Sequence, residues 1–348
     1  MSQAFYQWPV ERQALALGKL AEEALRAYPG KFTPPKLVKY RENAIFSVQR
    51  DDGALLALRI HRPGYHSDAA LASELMWMQA LADQGIEVPA AAFACDGSRL
   101  ILAAVAEVPE PRQIDLLQWL PGHSLGELER HRHLELGPRR AIYARAGTLA
   151  ARLHDHASSW SPPSGFVRHD WHTEALVGES PLWGRFWDLK GLSTGKVELL
   201  QQAREGARRD LIDYGVRPDN AGLIHADLLA DNLLVNGTAV HPIDFDDCGF
   251  GWHMFDLATI LYFTIDDVDH PALSQAVMAG YRTVRPLAER DEAALPLFLL
   301  VRGMTYLGWI HTRSETATAR DLAPMLVERC CRLCEAYVRR SAPFELSD

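Results

Sequence analysis

Apolar side chains recur at helical spacing from Val10 to Leu25 (Val10, Ala14, Leu17, Leu20, Ala21, Leu25), which predicts a helix over residues 10–27, ending before Pro29-Gly30. The period then shortens. Lys36–Arg50 and Ala54–His61 read as strand-forming, the first long enough for two strands, with Asp51-Asp-Gly53 as the turn between them. Beyond Arg62-Pro-Gly64, Ser67 is placed to cap a helix reaching about Ala82, with Leu71, Leu75, Met78 and Leu81 as its apolar set. Val88–Ala94, Arg99–Val105 and Gln113–Leu120 continue the β pattern, which stops at Pro121-Gly122. Helical periodicity dominates from there on. It predicts helices at Pro138–His156, Lys196–Tyr214, Met254–Phe263, Ala272–Val284, Glu292–Thr312 and Arg320–Arg339, with an irregular stretch over residues 158–195. The expectation is an α+β, bilobal chain. A helical lead-in covers residues 1–35, a β-rich N-terminal lobe 36–120, and a larger α-helical lobe 121–348.

Composition narrows the class. The chain has 348 residues, 48% apolar and 23% charged, which suits an ordinary globular enzyme with a sizeable core. A formal net charge of −9 argues against general nucleic-acid binding. No apolar run is long enough to span a bilayer and no signal pattern opens the chain, so no membrane partner is expected. Five cysteines, an odd number spread over a long chain, point to a reducing, cytoplasmic setting. Cys330-Cys331-x-x-Cys334 lies on one amphipathic pattern with Leu326, Leu333 and Tyr337, which reads as core-facing thiols rather than a metal or redox cluster.

The chemistry concentrates in Leu223-Ile-His-Ala-Asp-Leu-Leu-Ala-Asp-Asn-Leu-Leu-Val235 and Pro242-Ile-Asp-Phe-Asp-Asp-Cys-Gly249. Carboxylates crowd together only when a cation or proton offsets their repulsion. A divalent metal is the leading explanation, and phosphoryl transfer is the chemistry that needs one together with a carboxylate at the attacking hydroxyl. His225, Asp227 and Asn232 have the His-x-Asp-x-x-x-x-Asn spacing of a kinase catalytic loop, with Asp as base and Asn on the metal. Asp244 adds a charged metal ligand from the neighbouring strand. As single residues, Asp227 and Asn232 also suit a turn, and His225 suits a hydrogen-bonded loop organiser better than a proton shuttle. Asp231 reads as a member of the site or as a solvated turn residue; Asp246 and Asp247 read as extensions of the cluster or as ion-pair partners.

These residues resemble the aminoglycoside phosphotransferase and choline kinase superfamily, whose fold is protein-kinase-like and bilobal. The matching stretches are His225-Ala-Asp-Leu-Leu-Ala-Asp-Asn232, Ile243-Asp-Phe-Asp246 and Phe255-Asp-Leu-Ala258, with Gln118-Trp-Leu-Pro-Gly122 as a hinge and Leu153-His154 ending a long helix. The resemblance implies a five-stranded antiparallel sheet with one helix in residues 36–120. It implies Asp227 as catalytic base, Asn232 and Asp244 as magnesium ligands, and His225 and Asp256 as braces. The backbone of Gln118–Leu120 would hold adenine. Arg59, where the family usually has Lys, would pair with Glu74 and hold phosphate. A second departure is that Arg41-Glu-Asn-Ala-Ile-Phe46 stands where protein kinases have a Gly-rich loop. Tyr40-Arg-Glu-Asn43, Arg62-Pro63 and Ile243-Asp-Phe-Asp-Asp247 are similar to a bacterial stress-response Ser/Thr kinase branch, and homoserine kinases of this fold are similar too.

The function expected is an ATP- and Mg2+-dependent kinase transferring the γ-phosphate to a hydroxyl of a small polar or cationic molecule, alternatively to a protein Ser/Thr. Acceptor selectivity is expected from the aromatic stretch 158–195 (Trp160, Trp171, Trp183, Trp187) and from the helix bearing Arg302, Tyr306, Trp309 and His311, since aromatic faces attract cations. Two other readings are a metal-dependent phosphatase using Asp244 and Asp246, and a non-catalytic nucleotide-binding module.

Overall fold

The computed structural model describes residues 2–132 and 134–341. Its backbone contacts divide into two units, Met1–Gly122 with Pro162–Arg168, and His123–Ser161 with His169–Asp348.

In the first unit the elements are α1 (Ser2–Gln7), α2 (Val10–Leu25), β1 (Lys36–Tyr40), β2 (Ala44–Gln49), β3 (Leu55–Ile60), α3 (Asp68–Asp83), β4 (Ile101–Ala103) and β5 (Arg112–Gln118). The strands form one antiparallel sheet in the order β1-β2-β3-β5-β4. Alternation decides which side chains go inward. Leu56, Leu58 and Ile60 on β3 join Phe46, Val48, Ile114 and Leu116 in a core closed by Leu17, Leu20, Ala21 and Leu25 of α2. Each such aliphatic side chain contributes about 1.5–3 kcal/mol by leaving water. Residue 59 falls on the other side of β3, yet Arg59 is also buried. The Ser67 hydroxyl caps α3 by accepting the Ala70 N–H at 3.2 Å.

Two expectations are corrected here, and one element is new. Val88–Ala94 is not a strand. It touches β5 through the single bridge Ala91–Leu117, because Pro89 lacks an N–H and the alanines offer little side chain to pair. Arg99–Val105 shortens to the three residues of β4. Helix α1 was not visible as a periodic pattern.

The second unit comprises β6 (His123–Ser124), α4 (Leu125–Arg132), α5 (Leu136–Ser159), β7 (Asp170–Trp171), α6 (Thr173–Val177), α7 (Thr194–Tyr214), β8 (Ala221–Ile224), β9 (Leu233–Asn236), β10 (Ala239–Pro242), β11 (Gly249–Trp252), α8 (His253–Tyr262), α9 (His270–Arg282), α10 (Glu289–Ala293), α11 (Leu295–Thr312) and α12 (Ala317–Ser341). Residues 158–195 are less irregular than their composition predicts, since β7 and α6 lie inside them. The single helix expected over Glu292–Thr312 is two, broken at Ala294. Pro296 sits in the first turn of α11, where its missing N–H costs nothing. Helices α5 and α9 cross closely enough that a Cβ on Gly147 or Gly280 would overlap a carbonyl of the other helix. This crossing sets His154 of α5 against Tyr281 of α9. On α12, Cys330, Cys331 and Cys334 are buried free thiols. Among the described residues no helix is long and apolar enough to cross a membrane.

Candidate active site

The two acidic stretches are tied together by strand pairing at both ends. Strand β8 pairs with β11, placing Ile224 opposite Gly249. The β9–β10 hairpin places Leu233 opposite Pro242. The loop 225–232 and the loop 243–248 therefore leave the same pair of ladders side by side. Two further bonds join them. The Ile243 N–H donates to the Asn232 carbonyl at 3.0 Å, and His225 Nε2 lies 3.1 Å from the Ile243 carbonyl.

His225 is fully buried, and its ring nitrogens are both committed. Nε2–H donates to the Ile243 carbonyl, which leaves Nδ1 to accept the Asp227 N–H at 3.2 Å. Burial lowers its pKa, so the ring is neutral, the form that this bonding pattern needs. This geometry makes His225 a brace between the two loops and leaves no ring nitrogen for a proton relay.

Asp256, on the first turn of α8, holds the backbone before Asp227. Its Oδ2 accepts the His225 N–H at 3.0 Å and its Oδ1 the Ala226 N–H at 2.7 Å. His154 Nε2 reaches the same Oδ2 at 3.1 Å, and His154 Nδ1 faces the Tyr281 hydroxyl at 3.0 Å. Burial pushes the Asp256 carboxyl up to about 6, against the two N–H donors and the nearby Arg302 guanidinium, which pull it down. Ala226 needs this support because its φ is 65°, and Asp244 has φ 66°. A non-glycine residue in the left-handed region costs about 1–2 kcal/mol. Such strain persists where the surroundings over-determine it.

Asp227 is the partly exposed member, with its side chain 17% accessible. Its Oδ2 accepts from Asn232 Nδ2 at 2.8 Å, and the same amide nitrogen donates to the Asp227 carbonyl at 2.9 Å. Committing Nδ2 in this way leaves the Asn232 Oδ1 as the acceptor. The amide oxygen of Asn232 and the exposed carboxylate of Asp244, on loops joined by the Ile243–Asn232 backbone bond, are donor types that suit magnesium. Among the described residues no three His, Cys, Asp or Glu groups converge as a cage.

Asp227 Oδ1 has a partner the sequence did not announce. Arg302 of α11, with no exposed surface, donates Nη2 to it at 2.6 Å and Nη1 to the Ala226 carbonyl at 3.0 Å. The guanidinium lies 4.3 Å from the Tyr306 ring centroid, 5.0 Å from that of Trp183 and 5.2 Å from that of Phe255. Arg302 and Tyr306 were expected to select the acceptor. Instead the aromatic cage of Trp183, Phe255 and Tyr306 holds the chain's own cation. Trp171 and Trp187 are buried too, and Trp187 carries Arg204 at 4.2 Å from its centroid. Of the remaining acidic residues, Asp231 pairs with Arg130 at 2.9 Å on the surface. The backbone carbonyl of Asp247 accepts from His169 Nε2 at 2.9 Å and Trp171 Nε1 at 2.8 Å.

In the first unit, Arg59 does meet Glu74, with Nη1 to Oε1 at 2.7 Å. It also meets Asp115, directly opposite it in the β3–β5 register, through Nη2 to Oδ2 at 2.7 Å and Nε to Oδ1 at 3.1 Å. His61 Nε2 joins the same carboxylate at 2.8 Å. Asp115 was missed, although a charged residue inside Ile114-Asp-Leu-Leu117 signals an inward-facing partner. Arg59 is only 4% exposed and its guanidinium is shared between two carboxylates. In the Gln118–Gly122 stretch, the Gln118 N–H donates to the Ala90 carbonyl at 2.8 Å and the Trp119 N–H to the Leu55 carbonyl at 3.2 Å. Leu120 is buried, and its N–H makes no backbone hydrogen bond among the described residues.

A family model described as "Phosphotransferase enzyme family" matches residues 38–295, which include the Arg59 cluster and all of the Asp227 cluster except Arg302 and Tyr306. The chain belongs to this family. The phosphotransferase is 27% identical over 324 residues to a homoserine kinase of Gluconobacter oxydans, covering 87% of this chain and 92% of that protein. It resembles the structure of a microcompartment-associated aminopropanol kinase with a TM-score of 0.81 and 33% identity, covering 92% of this chain and 98% of the other. An amicoumacin kinase in complex with AMP-PNP, Ca2+ and Ami shares the fold, with a TM-score of 0.75 at 18% identity over 97% and 96% of the chains. The fold is thus the α+β, protein-kinase-like one, and the enzyme is a small-molecule kinase.

Proposed function

We propose that this phosphotransferase uses ATP and magnesium to phosphorylate the hydroxyl of a small amino alcohol. The single observation that carries the reading is the Asp227 carboxylate, partly exposed and fixed between Arg302 and Asn232. A carboxylate so held orients an acceptor hydroxyl and takes its proton as the oxygen bonds to the γ-phosphorus and the bridging oxygen leaves with ADP. Asn232 and Asp244 are the residues to hold magnesium, which neutralises charge on the phosphates. In the first unit Gln118 and Leu120 are the candidates for nucleotide binding, while the Arg59–Glu74 pair is buried and shared with Asp115. The amino-alcohol class rests on the 33% identity to the aminopropanol kinase. Since the aromatic cage already holds Arg302, the substrate ammonium has to be met by carboxylate or carbonyl oxygens rather than by those ring faces.

The test is a screen of aminopropanol, homoserine, hydroxylysine, choline, an aminoglycoside and a generic protein substrate for ADP formation, with the product mass measured. Phosphorylated aminopropanol or a related amino alcohol is the expected product. Phosphate appearing only on protein would overturn the reading.

A further inference from the structure

Arg302 is expensive to keep where it is. Helix α11 is otherwise apolar over Leu295–Tyr306 apart from Thr305, and the side chain is completely buried. A buried guanidinium must recover its lost hydration from partners, and an apolar residue of similar volume often packs there at less cost. Its Nε–H is buried without a hydrogen-bond partner among the described residues, which adds a desolvation cost that nothing there offsets. The two ends that are satisfied point at one place. Nη1 goes to the Ala226 carbonyl, Nη2 to Asp227 Oδ1, and Nη2 also to the Tyr306 hydroxyl at 3.0 Å.

The grip on Ala226 has two sides. Asp256 takes its N–H and Arg302 takes its carbonyl, so the left-handed peptide that turns the chain into Asp227 is clamped across its own residue. The grip on Asp227 also has two sides. Asn232 takes Oδ2 and Arg302 takes Oδ1. Removing Arg302 would free the carboxylate to rotate about the remaining bond to Asn232 and would release the backbone strain on which its direction depends.

We infer that Arg302 is a positioning residue for phosphoryl transfer, acting through Asp227 and Ala226 from the core side without touching substrate. The inference rests on the reading of Asp227 given above. Its distinguishing property is dependence: Arg302 matters to turnover only while Asp227 is there to be positioned. Two side chains that act as one unit lose activity non-additively, whereas a fold-stabilising residue adds its loss to any other.

The experiment compares wild type, Arg302→Gln, Arg302→Lys, Asp227→Asn and Asp227→Asn combined with each Arg302 variant. ADP formation is read with aminopropanol as acceptor and with water alone, and binding of the magnesium–nucleotide complex is titrated in every variant. Misplacing a catalytic group costs on the order of 10²-fold, so Arg302→Gln should lower kcat by about that factor. Arg302→Lys keeps the charge but loses the fork and should fall between Gln and wild type. Acceptor KM and nucleotide affinity should each stay within about threefold, well inside the tenfold that 1.4 kcal/mol represents. In the Asp227→Asn background the same substitutions should change the residual rate by less than about threefold. If Arg302→Gln does not fold, Arg302→Lys in the two backgrounds decides. A rise in acceptor KM at unchanged kcat would make Arg302 a substrate-binding residue and overturn the inference. So would a full loss repeated in the Asp227→Asn background. An Asp227→Asn enzyme with wild-type turnover would instead sink the underlying reading of Asp227.

Discussion

In the first unit a guanidinium is held by carboxylates; in the second a carboxylate is held by a guanidinium. Arg59 sits between Glu74 and Asp115, and all three are almost wholly buried. Asp227 sits between Arg302 and Asn232, with the arginine sealed off and the carboxylate partly open. The contacts are alike in length, 2.6–2.7 Å in each ion pair. What differs is access to solvent: no member of the first cluster keeps it, whereas in the second the carboxylate does and can meet a ligand. A buried pair is a weak source of stability but a firm constraint on geometry. The Arg59 cluster ties β3, β5 and α3 together, whereas the Arg302 pair fixes one partly open carboxylate.

The largest expected effect breaks the second cluster. Asp227→Ala should lower turnover by roughly 10²–10⁴-fold, the range for a general base, with magnesium–nucleotide binding nearly intact. Asp244→Ala should weaken both turnover and nucleotide binding, because its carboxylate is assigned to the metal. Titration calorimetry with a non-hydrolysable nucleotide separates the two, and identical binding losses would remove the division of labour between them.

A smaller effect, on stability rather than rate, is expected in the first cluster. Arg59→Ala leaves Glu74 and Asp115 buried without their cation, which costs about 3–5 kcal/mol. Denaturant unfolding checks this. A loss under about 1 kcal/mol would mean that the carboxylates are solvated, as in a surface pair.

Acid dissects the same cluster. Burial alone would raise the Asp115 carboxyl, but the charges and hydrogen bonds of Arg59 and His61 outweigh it and hold it at about 2. With its ordinary value near 4, the stabilising contribution of the depressed carboxylate is present above about pH 4 and is lost as pH falls to about 2. Asp115→Asn should therefore be least stable relative to wild type above pH 4, and the gap should narrow toward pH 2. Parallel stability curves over that window would contradict the pairing. The smallest effect is expected at Arg130→Ala, which removes an exposed partner of Asp231 and should change stability by less than about 1 kcal/mol.

The part of this arrangement that was legible in the sequence is the part made locally. His225, Asp227 and Asn232 lie on one loop and Asp244 follows a short hairpin, so spacing alone carries their relation. The switch from strand to helix near residue 120 was legible for the same reason. Arg302 is 75 positions from Asp227, and Asp115 is 56 from Arg59, so neither pairing has a local spacing to betray it. Each left only an indirect mark, a charge inside an apolar run, which demands a partner without naming it. Val88–Ala94 failed in the opposite direction: an apolar stretch read as a strand although Pro89 interrupts its donors.

The most direct test of the central claim follows phosphorus itself. Wild-type and Asp227→Asn protein, both shown to bind magnesium–nucleotide, are incubated with ATP, Mg2+ and aminopropanol, and the phosphorus NMR spectrum is recorded over time. The expected result is a phosphomonoester signal growing at the expense of the γ-phosphate in the wild type, and growing at least about 10²-fold more slowly in Asp227→Asn. Equal growth in both proteins, or only inorganic phosphate in the wild type across all the small hydroxyl acceptors named above, would contradict it.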